Sequence, residues 1–245
     1  MPLLAIDNLK KYYGDQLILQ NINLEVDKGE VISILGQSGS GKSTLLRCIN
    51  ALEDIQEGHI YLNGKEIHED AKDLSRLRQK IGMVFQSYEL FPHLSVLDNI
   101  TIAPRKVLNR NKEEAEKDAK ELLKLVGLED KAKSKPNQLS GGQKQRVAII
   151  RAMIMKPEVL LLDEITASLD PEMVYEVLDV VLDLAKQGMT MLIVTHELQF
   201  AKVISDRILF LDGGQIVEDS SPDEFFKNPK TERAKAFLNV FEFNK

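Results

Sequence analysis

An octapeptide near the start of the chain, residues 36–43, has the sequence GQSGSGKS and matches the pattern G-x4-G-K-[S/T]. Glycines in this pattern allow successive backbone N–H groups to point at one anion, and the lysine reaches the β- and γ-phosphates of a nucleotide. The final hydroxyl binds Mg²⁺. The pattern therefore predicts a nucleotide-binding loop formed by Gly36, Gln37, Ser38, Gly39, Ser40, Gly41, Lys42, Ser43 and Thr44.

Two acidic residues, Asp163 and Glu164, directly follow an apolar run at residues 159–162. Beside a phosphate-binding loop, the first carboxylate can hold Mg²⁺ through water, and the second can orient or deprotonate an attacking water. Acidic residues at a strand end can also be ordinary surface residues. Together with residues 36–43, the pair indicates hydrolysis of ATP.

The segment LSGGQ, residues 139–143, precedes an amphipathic helix predicted over residues 144–155. Ser140 is a suitable N-cap, so the segment can be an ordinary helix start. The two glycines, however, expose backbone N–H groups at a helix N-terminus, which is a favourable place for an anion. The segment alone fits both an ordinary helix start and an anion-binding site.

The elements around these motifs are those of an α/β protein. Apolar runs at residues 31–35, 159–162 and 191–194 predict strands of a parallel sheet covered by helices on both faces. Residues 3–26 predict two or three short strands with a turn at residues 14–15. Residues 88–158 show helical and loop patterns without a buried strand, which indicates an inserted helical segment.

Two helix starts in the chain carry recognisable capping residues. Asn111 with Glu114 three residues later predicts a capping box, and Gly127 predicts the end of that helix. Asp170 and Pro171 predict the cap and first turn of another helix, which ends at Gly188. We expect both helices to bury one apolar face.

The composition limits the possible functions. The chain has 245 residues, 43% apolar residues and a net charge of −6, which argues against a general nucleic-acid binder. A single cysteine, Cys48, excludes a disulfide framework within the chain. We find no targeting segment and no run of about 20 apolar residues. We therefore expect any work at a membrane to go through a partner.

Over essentially its whole length, the chain resembles the nucleotide-binding subunit of an ATP-binding-cassette (ABC) transporter. The motifs that carry this resemblance, in chain order, are GQSGSGKS, LSGGQ and VLLLDE (residues 159–164). The resemblance implies a P-loop NTPase (RecA-like) α/β core with an N-terminal antiparallel β subdomain and an inserted α-helical subdomain. It implies a single domain, residues 1–245, whose core is residues 1–87 and 159–245 and whose helical subdomain is residues 88–158.

The resemblance also implies roles for single residues. Tyr13 resembles the aromatic residue that stacks on adenine, Gln86 the glutamine that meets Mg²⁺ and the attacking water, and His196 the histidine that contacts the γ-phosphate. Each has an ordinary alternative, as a strand-edge residue, a strand cap and a surface residue. With Glu164, the implied catalytic residues are Glu164, His196 and Gln86, and the implied Mg²⁺ ligands are Ser43, Gln86 and Asp163.

In this family two cassettes close over two ATP molecules. The resemblance implies that one copy contacts the γ-phosphate held by Lys42 of the other copy. The residues implied to make contact across the dimer are Ser140, Gly141, Gly142, Gln143 and Asp170. The chain departs from the family at two positions where proline is frequent, Gln37 and Ile165, and we expect less rigidity there with activity kept.

The sequence of residues 85–100 resembles that of cassette subunits of bacterial importers of polar amino acids. The implied partners are a second cassette, identical or paired, integral membrane permease subunits and an extracytoplasmic solute-binding protein; the implied location is peripheral, at the cytoplasmic face of the membrane. Residues 88–92 (Tyr88 to Pro92) either face the permease or pack inside the helical segment. A soluble ABC-type ATPase and a small-molecule kinase remain as alternatives, and no nucleic-acid partner is expected.

Overall fold

The computed structural model describes residues 1–67 and 74–242, which form two sheets and the helices around them. The strands are β1 (Leu4–Tyr13), β2 (Gln16–Val26), β3 (Val31–Leu35), β4 (Glu57–Leu62), β5 (Lys65–Glu66), β6 (Ile81–Val84), β7 (Val159–Asp163), β8 (Thr190–Val194), β9 (Arg207–Asp212) and β10 (Gln215–Ser220). The helices are α1 (Lys42–Ile49), α2 (Leu74–Lys80), α3 (Val96–Val107), α4 (Lys112–Leu125), α5 (Gly141–Met153), α6 (Pro171–Lys186), α7 (Leu198–Ile204), α8 (Pro222–Lys227) and α9 (Glu232–Glu242).

The N-terminal part forms an antiparallel sheet in the order β2-β1-β4-β5. The expected strands over residues 3–26 are present, but they are two long strands of 10 and 11 residues rather than two or three short ones. The pairing of β1 with β2 shifts register at several points, which lets long strands bend without ending. Their hairpin turns at residues 14–15, as predicted.

The larger sheet has the order β10-β9-β3-β8-β7-β6, and its strands from β9 to β6 are parallel. Every residue of β3, β7 and β8 is buried, which confirms the prediction from their apolar runs. Leu160 and Leu162 face one hydrophobic core, whereas Val159 and Leu161 face another. The carboxyl ends of these strands lie at one edge of the sheet, where ligands of α/β proteins bind.

The chain between β6 and β7 is helical. It contains α3, α4, two short 3₁₀ turns and α5, and residues 88–158 contain no strand, as the sequence predicted. These helices meet through buried side chains such as Ile100, Leu123 and Val147. In the part of the chain that the structure describes, no helix is long and apolar enough to cross a membrane.

The helix caps differ from the sequence prediction in detail. Asn111 accepts from the N–H of Glu113 at 3.0 Å, so it caps α4 without the capping box expected with Glu114. Asp170 precedes α6, but its side chain accepts no capping hydrogen bond. The capping box lies instead at the start of α5, where Ser140 and Gln143 exchange hydrogen bonds of 3.2 and 3.0 Å. This helix spans Gly141–Met153, beginning and ending earlier than predicted.

Candidate functional site

The loop at residues 36–43 connects β3 to α1 and needs glycine for steric reasons. A Cβ on Gly36 would lie 2.1 Å from the carbonyl oxygen of Leu211, and one on Gly41 would lie 2.7 Å from the side chain of Leu19. Gly41 also has φ of 102°, a conformation that L-residues rarely adopt. The glycines thus allow the loop to turn tightly at the start of α1, where the helix dipole favours an anion.

The ammonium group of Lys42 lies inside this loop. The residue is 4% exposed, and Nζ donates to the carbonyl oxygens of Gly36 and Gln37, both at 2.9 Å. Burial lowers the pKa of Lys42, and the nearby carboxylates of Glu164 and Asp163 oppose that shift. A buried cation bonded to neutral carbonyl groups is well suited to exchange them for phosphate oxygens.

Ser43 and Asp163 bring the loop and β7 together. The Ser43 hydroxyl donates to Oδ1 of Asp163 at 2.7 Å. Burial raises the pKa of Asp163, whereas the hydrogen bond from Ser43 lowers it. A hydroxyl and a carboxylate are hard oxygen donors, which Mg²⁺ prefers. Within residues 1–67 and 74–242, no group of three or more His, Cys, Asp or Glu is placed to hold a metal ion, but Mg²⁺ in nucleotide sites needs only a few protein oxygens.

Glu164 and His196 form a second pair at the same edge of the sheet. His196 Nε2 lies 3.1 Å from Glu164 Oε1. Glu164 has φ of 47°, which is uncommon for a residue with a side chain, and its N–H donates to the carbonyl of Val194 at 2.9 Å. The chain therefore turns sharply after β7 and places the carboxylate beside the end of β8.

Gln86 is exposed and lines a cavity of about 680 Å³ together with Ser43 and Asp163. The other lining residues are Arg47, Phe85, Ser87, Glu89, Phe91 and Arg151. The structure therefore brings the predicted Gln86 to the Ser43–Asp163 pair. Two arginines that belong to none of the sequence motifs, Arg47 and Arg151, line the same cavity.

Residues 88–92 lie beside this cavity, and Glu89 and Phe91 line it. Arg151 binds their backbone, donating to the carbonyl oxygens of Tyr88 at 3.0 Å and Glu89 at 2.5 Å. Leu90 packs against the core, whereas Phe91 is 44% exposed. Leu90 therefore fits the interpretation of packing inside the helical segment, and contact of this segment with a permease stays a prediction.

The residues predicted to act across a dimer lie at the starts of α5 and α6. The N–H of Gly142 points at Sδ of Met173 at 3.4 Å, and a Cβ on Gly141 would lie 2.9 Å from Leu169. Asp170 is exposed. Within residues 1–67 and 74–242, no hydrogen bond joins Ser140, Gly141, Gly142, Gln143 or Asp170 to the loop at residues 36–43.

The two positions where the sequence departs from the family pattern have different surroundings. Ile165 is 4% exposed and belongs to the hydrophobic core. The side-chain oxygen of Gln37 accepts a hydrogen bond of 3.3 Å from Arg233, which also binds Asp212 with two nitrogens at 2.8 Å each. Arg233 lies in α9, and no sequence motif pointed to its contact with residues 36–43.

Tyr13 is half exposed at the end of β1, and its ring centroid lies 4.9 Å from the ammonium of Lys11. Lys11 belongs to none of the sequence motifs. Strand alternation does not identify a buried lysine, because lysine in a strand is ordinarily a solvent-facing residue. Its position is a product of the tertiary fold.

Known proteins are similar to this chain in sequence. The family described as ABC transporter matches residues 19–167. The glutamine transport ATP-binding protein GlnQ of Bacillus subtilis is 55% identical over 97% of this chain and 98% of its own length. The glutamate/aspartate import ATP-binding protein GltL of Escherichia coli K12 is 51% identical over 96% of this chain and 98% of its own length.

Two solved structures have the same fold. A dimeric ATP-binding cassette in a post-hydrolysis state with ADP and Pi has a TM-score of 0.81 and 36% identity, covering 89% of this chain and 98% of that one. The cbiO1 protein of Clostridium perfringens, part of the ABC transporter complex cbiONQ, has a TM-score of 0.84 and 32% identity, covering 98% and 95%. The predicted P-loop NTPase fold class is confirmed, and the chain belongs to the ABC transporter family.

Proposed function

We propose that this chain is the ATP-binding and ATP-hydrolysing subunit of a bacterial importer of polar amino acids. One structural observation carries the catalytic part: the phosphate-binding loop, Asp163 and Glu164 meet at one edge of the parallel sheet, with Ser43 bonded to Asp163 at 2.7 Å. Relatives named for glutamine and for glutamate/aspartate transport, matching over nearly the whole chain, support the transport part.

In the proposed site, ATP binds with its phosphates on the backbone of residues 36–43 and its adenine on Tyr13. Lys42 exchanges the carbonyls of Gly36 and Gln37 for phosphate oxygens, which makes charge-assisted hydrogen bonds. Ser43, Gln86 and Asp163 are the residues that would hold Mg²⁺. The ion would supply positive charge beside the β- and γ-phosphates.

Glu164 is the proposed general base. Its carboxylate takes a proton from water while the water oxygen bonds to the γ-phosphorus, and the bond from that phosphorus to the β–γ bridging oxygen breaks to leave ADP. His196, 3.1 Å from Glu164, holds that carboxylate in place and contacts the γ-phosphate. Gln86, which lines the same cavity as Ser43 and Asp163, orients the water.

The proposed working unit is a two-fold dimer. The ATP held by Lys42 of one copy faces five residues of the other copy: Ser140, Gly141, Gly142, Gln143 and Asp170. Because both copies use the same surface, the interface is isologous. Because both surfaces contact the γ-phosphate only when the dimer is closed, ATP favours the closed state and its hydrolysis allows opening. The permease subunits, contacted near residues 88–92 at the cytoplasmic face of the membrane, follow this motion. An extracytoplasmic binding protein delivers the solute.

Two measurements test this function. Calorimetry should show that Lys42→Ala removes most ATP binding, whereas Lys28→Ala, at an exposed site in the turn before β3, leaves it unchanged. Affinity purification from membranes should recover an integral membrane protein with the chain, and deletion of its gene should reduce uptake of a polar amino acid. Unchanged ATP affinity in Lys42→Ala contradicts the site, and recovery without any membrane protein favours a soluble ATPase.

A further inference from the structure

We propose that Lys11 is a positioning residue for nucleotide binding. It links the ring of Tyr13 to residues 53–54, which follow α1, the helix that begins at the phosphate-binding loop, and so sets the span between the base and the phosphates. The inference rests on the proposed function, in which Tyr13 carries adenine and residues 36–43 carry the phosphates. It adds a residue that contacts neither the base nor the phosphates.

Lys11 is buried, which is unusual for a lysine and requires compensation. The residue is 4% exposed. Its Nζ donates to the carbonyl oxygen of Asp54 at 2.6 Å, lies 3.3 Å from Oε2 of Glu53 and lies 4.9 Å from the centroid of the Tyr13 ring. The ammonium therefore joins one carbonyl, one carboxylate and one aromatic face.

Two partners of Lys11, Glu53 and Asp54, lie in the segment that follows α1. The N–H groups of Leu52 and Glu53 both donate to the carbonyl of Arg47, at 2.8 and 3.2 Å, so this segment is tied to the last turn of α1. The same helix begins at Lys42, directly after Gly41. Lys11 thus links the strand that carries Tyr13 to the helix whose opposite end faces the phosphates.

Tyr13 needs such a support because it stands at the last position of β1, beside the hairpin turn, with 44% of its surface exposed. An exposed aromatic side chain at a strand end can rotate unless something holds it. A cation over the ring attracts its negative face, and this attraction is stronger when the cation is desolvated, as Lys11 is. Since the ammonium occupies one face of the ring, the opposite face is left for a base.

The neighbouring lysine provides a matched control. Lys10 lies on the same strand and forms an ion pair with Glu57 of β4 at 2.7 Å, but it is partly exposed and does not contact Tyr13. Substitution of Lys10 and of Lys11 removes the same charge from the same strand. Only the second change removes the cation beneath Tyr13.

The experiment compares two ligands in the presence of Mg²⁺: ATP, and inorganic tripolyphosphate, which has the phosphates but no base. Binding is measured by calorimetry for the wild-type protein and for Lys11→Met, Lys11→Gln, Lys10→Met and Tyr13→Ala. Lys11→Gln retains a donor for the carbonyl of Asp54, so it tests the inference even where Lys11→Met does not fold. Lys11→Arg restores a cation near the ring.

We expect both neutral Lys11 variants to bind ATP about three- to tenfold more weakly. Tripolyphosphate affinity should stay within about twofold in the same variants. Tyr13→Ala should weaken ATP binding about tenfold or more. Adding Lys11→Gln to Tyr13→Ala should cause no further loss, because the two residues act through one ring. Lys11→Arg should recover most of the affinity for ATP, and Lys10→Met should resemble the wild type.

Equal losses for ATP and tripolyphosphate in Lys11→Gln would overturn the inference, because they indicate a general effect on folding or on residues 36–43. Unchanged ATP binding in Lys11→Gln, with a loss in Tyr13→Ala, overturns the inference alone and leaves the proposed function intact. A wild-type protein that binds neither ligand contradicts the proposed function itself.

Discussion

The hydroxyl of Ser43 donates a 2.7 Å hydrogen bond to the carboxylate of Asp163, although 120 residues separate them in sequence. Ser43 lies in the first turn of α1, and Asp163 is the last residue of β7. Asp163 is buried, and burial raises the pKa of its carboxyl group. The fold thus holds a carboxylate in an unfavourable environment at the place where the proposed function needs a ligand for Mg²⁺.

Asp163→Asn is expected to stabilise the nucleotide-free protein at pH 7, by on the order of 1 kcal/mol, while abolishing most Mg²⁺-dependent hydrolysis. The neutral amide avoids the burial penalty of the carboxylate. Because the folded pKa is raised, this penalty is absent below the unfolded pKa near 3.8 and grows as the pH rises through the folded pKa.

The free energy of unfolding of the wild-type and Asp163→Asn proteins, measured by urea denaturation between pH 4 and pH 7, checks this. The difference should shrink as the pH falls. Asp15→Asn, at an exposed turn position, should show no such difference. A difference that grows on acidification, or an Asn variant that is less stable at pH 7, contradicts the interpretation.

Glu164→Gln is expected to lower ATP hydrolysis by about 10²- to 10⁴-fold, because it removes the proposed base and keeps the shape of the side chain. ATP binding should survive, since Lys42, Ser43 and the backbone of the loop are unchanged. His196→Ala should also slow hydrolysis, because it removes the group that lies 3.1 Å from Glu164. Steady-state phosphate release measures both effects.

With hydrolysis blocked, the Glu164→Gln protein should be a dimer with Mg-ATP and a monomer without it. Ser140→Arg in the same background should abolish the dimer, because a long cation would enter the γ-phosphate site of the other copy. Light scattering measures the mass of each sample. A Glu164→Gln protein that hydrolyses ATP normally, or one that stays monomeric with Mg-ATP both alone and in the full complex, is incompatible with the proposed mechanism.

Phe91→Glu should leave ATP binding intact and reduce transport in reconstituted complexes, because Phe91 is 44% exposed beside the cavity that holds Gln86. Tyr88, whose carbonyl is held by Arg151, should behave similarly when replaced by a bulky or charged residue. Val203→Glu is the control, since Val203 is 75% exposed on α7, away from this cavity. Normal uptake by the Phe91→Glu complex counts against permease contact near residues 88–92.

Arg233→Ala should weaken ATP binding by about fivefold with a stability change below about 1 kcal/mol. Arg233 in α9 donates to the side-chain oxygen of Gln37, and the backbone carbonyl of Gln37 accepts from Lys42. Removal of the Arg233 side chain therefore loosens the contact between residues 36–43 and α9. Lys235→Ala, which removes an ion pair within the same helix, is the control. Calorimetry with ATP and thermal unfolding separate the two effects, and an unchanged ATP affinity contradicts the link to α9.

Much of the fold followed from local patterns. The apolar runs of β3, β7 and β8 are buried on both faces, as a parallel sheet requires, and the helical character of residues 88–158 was visible in the sequence. The predictions that were wrong concern a helix cap and the lengths of strands, which depend on competition between nearby groups. The side chain of Asn111 accepts a hydrogen bond from the N–H of Glu113 and forms no capping box with Glu114. Strands β1 and β2 continue through register shifts at positions where the sequence pattern suggested strand ends.

By itself the sequence determined the tight loop at residues 36–43 and the acidic strand end, because glycine conformation and the strand–loop–helix order are local properties. Tertiary structure decided which distant groups meet. Glu164 contacts His196 because β7 and β8 are neighbours, and Lys11 meets Asp54 and Glu53 because the segment that follows α1 lies beside β1. Burial and pairing of this kind depend on the packing of whole elements, which no short segment of sequence specifies.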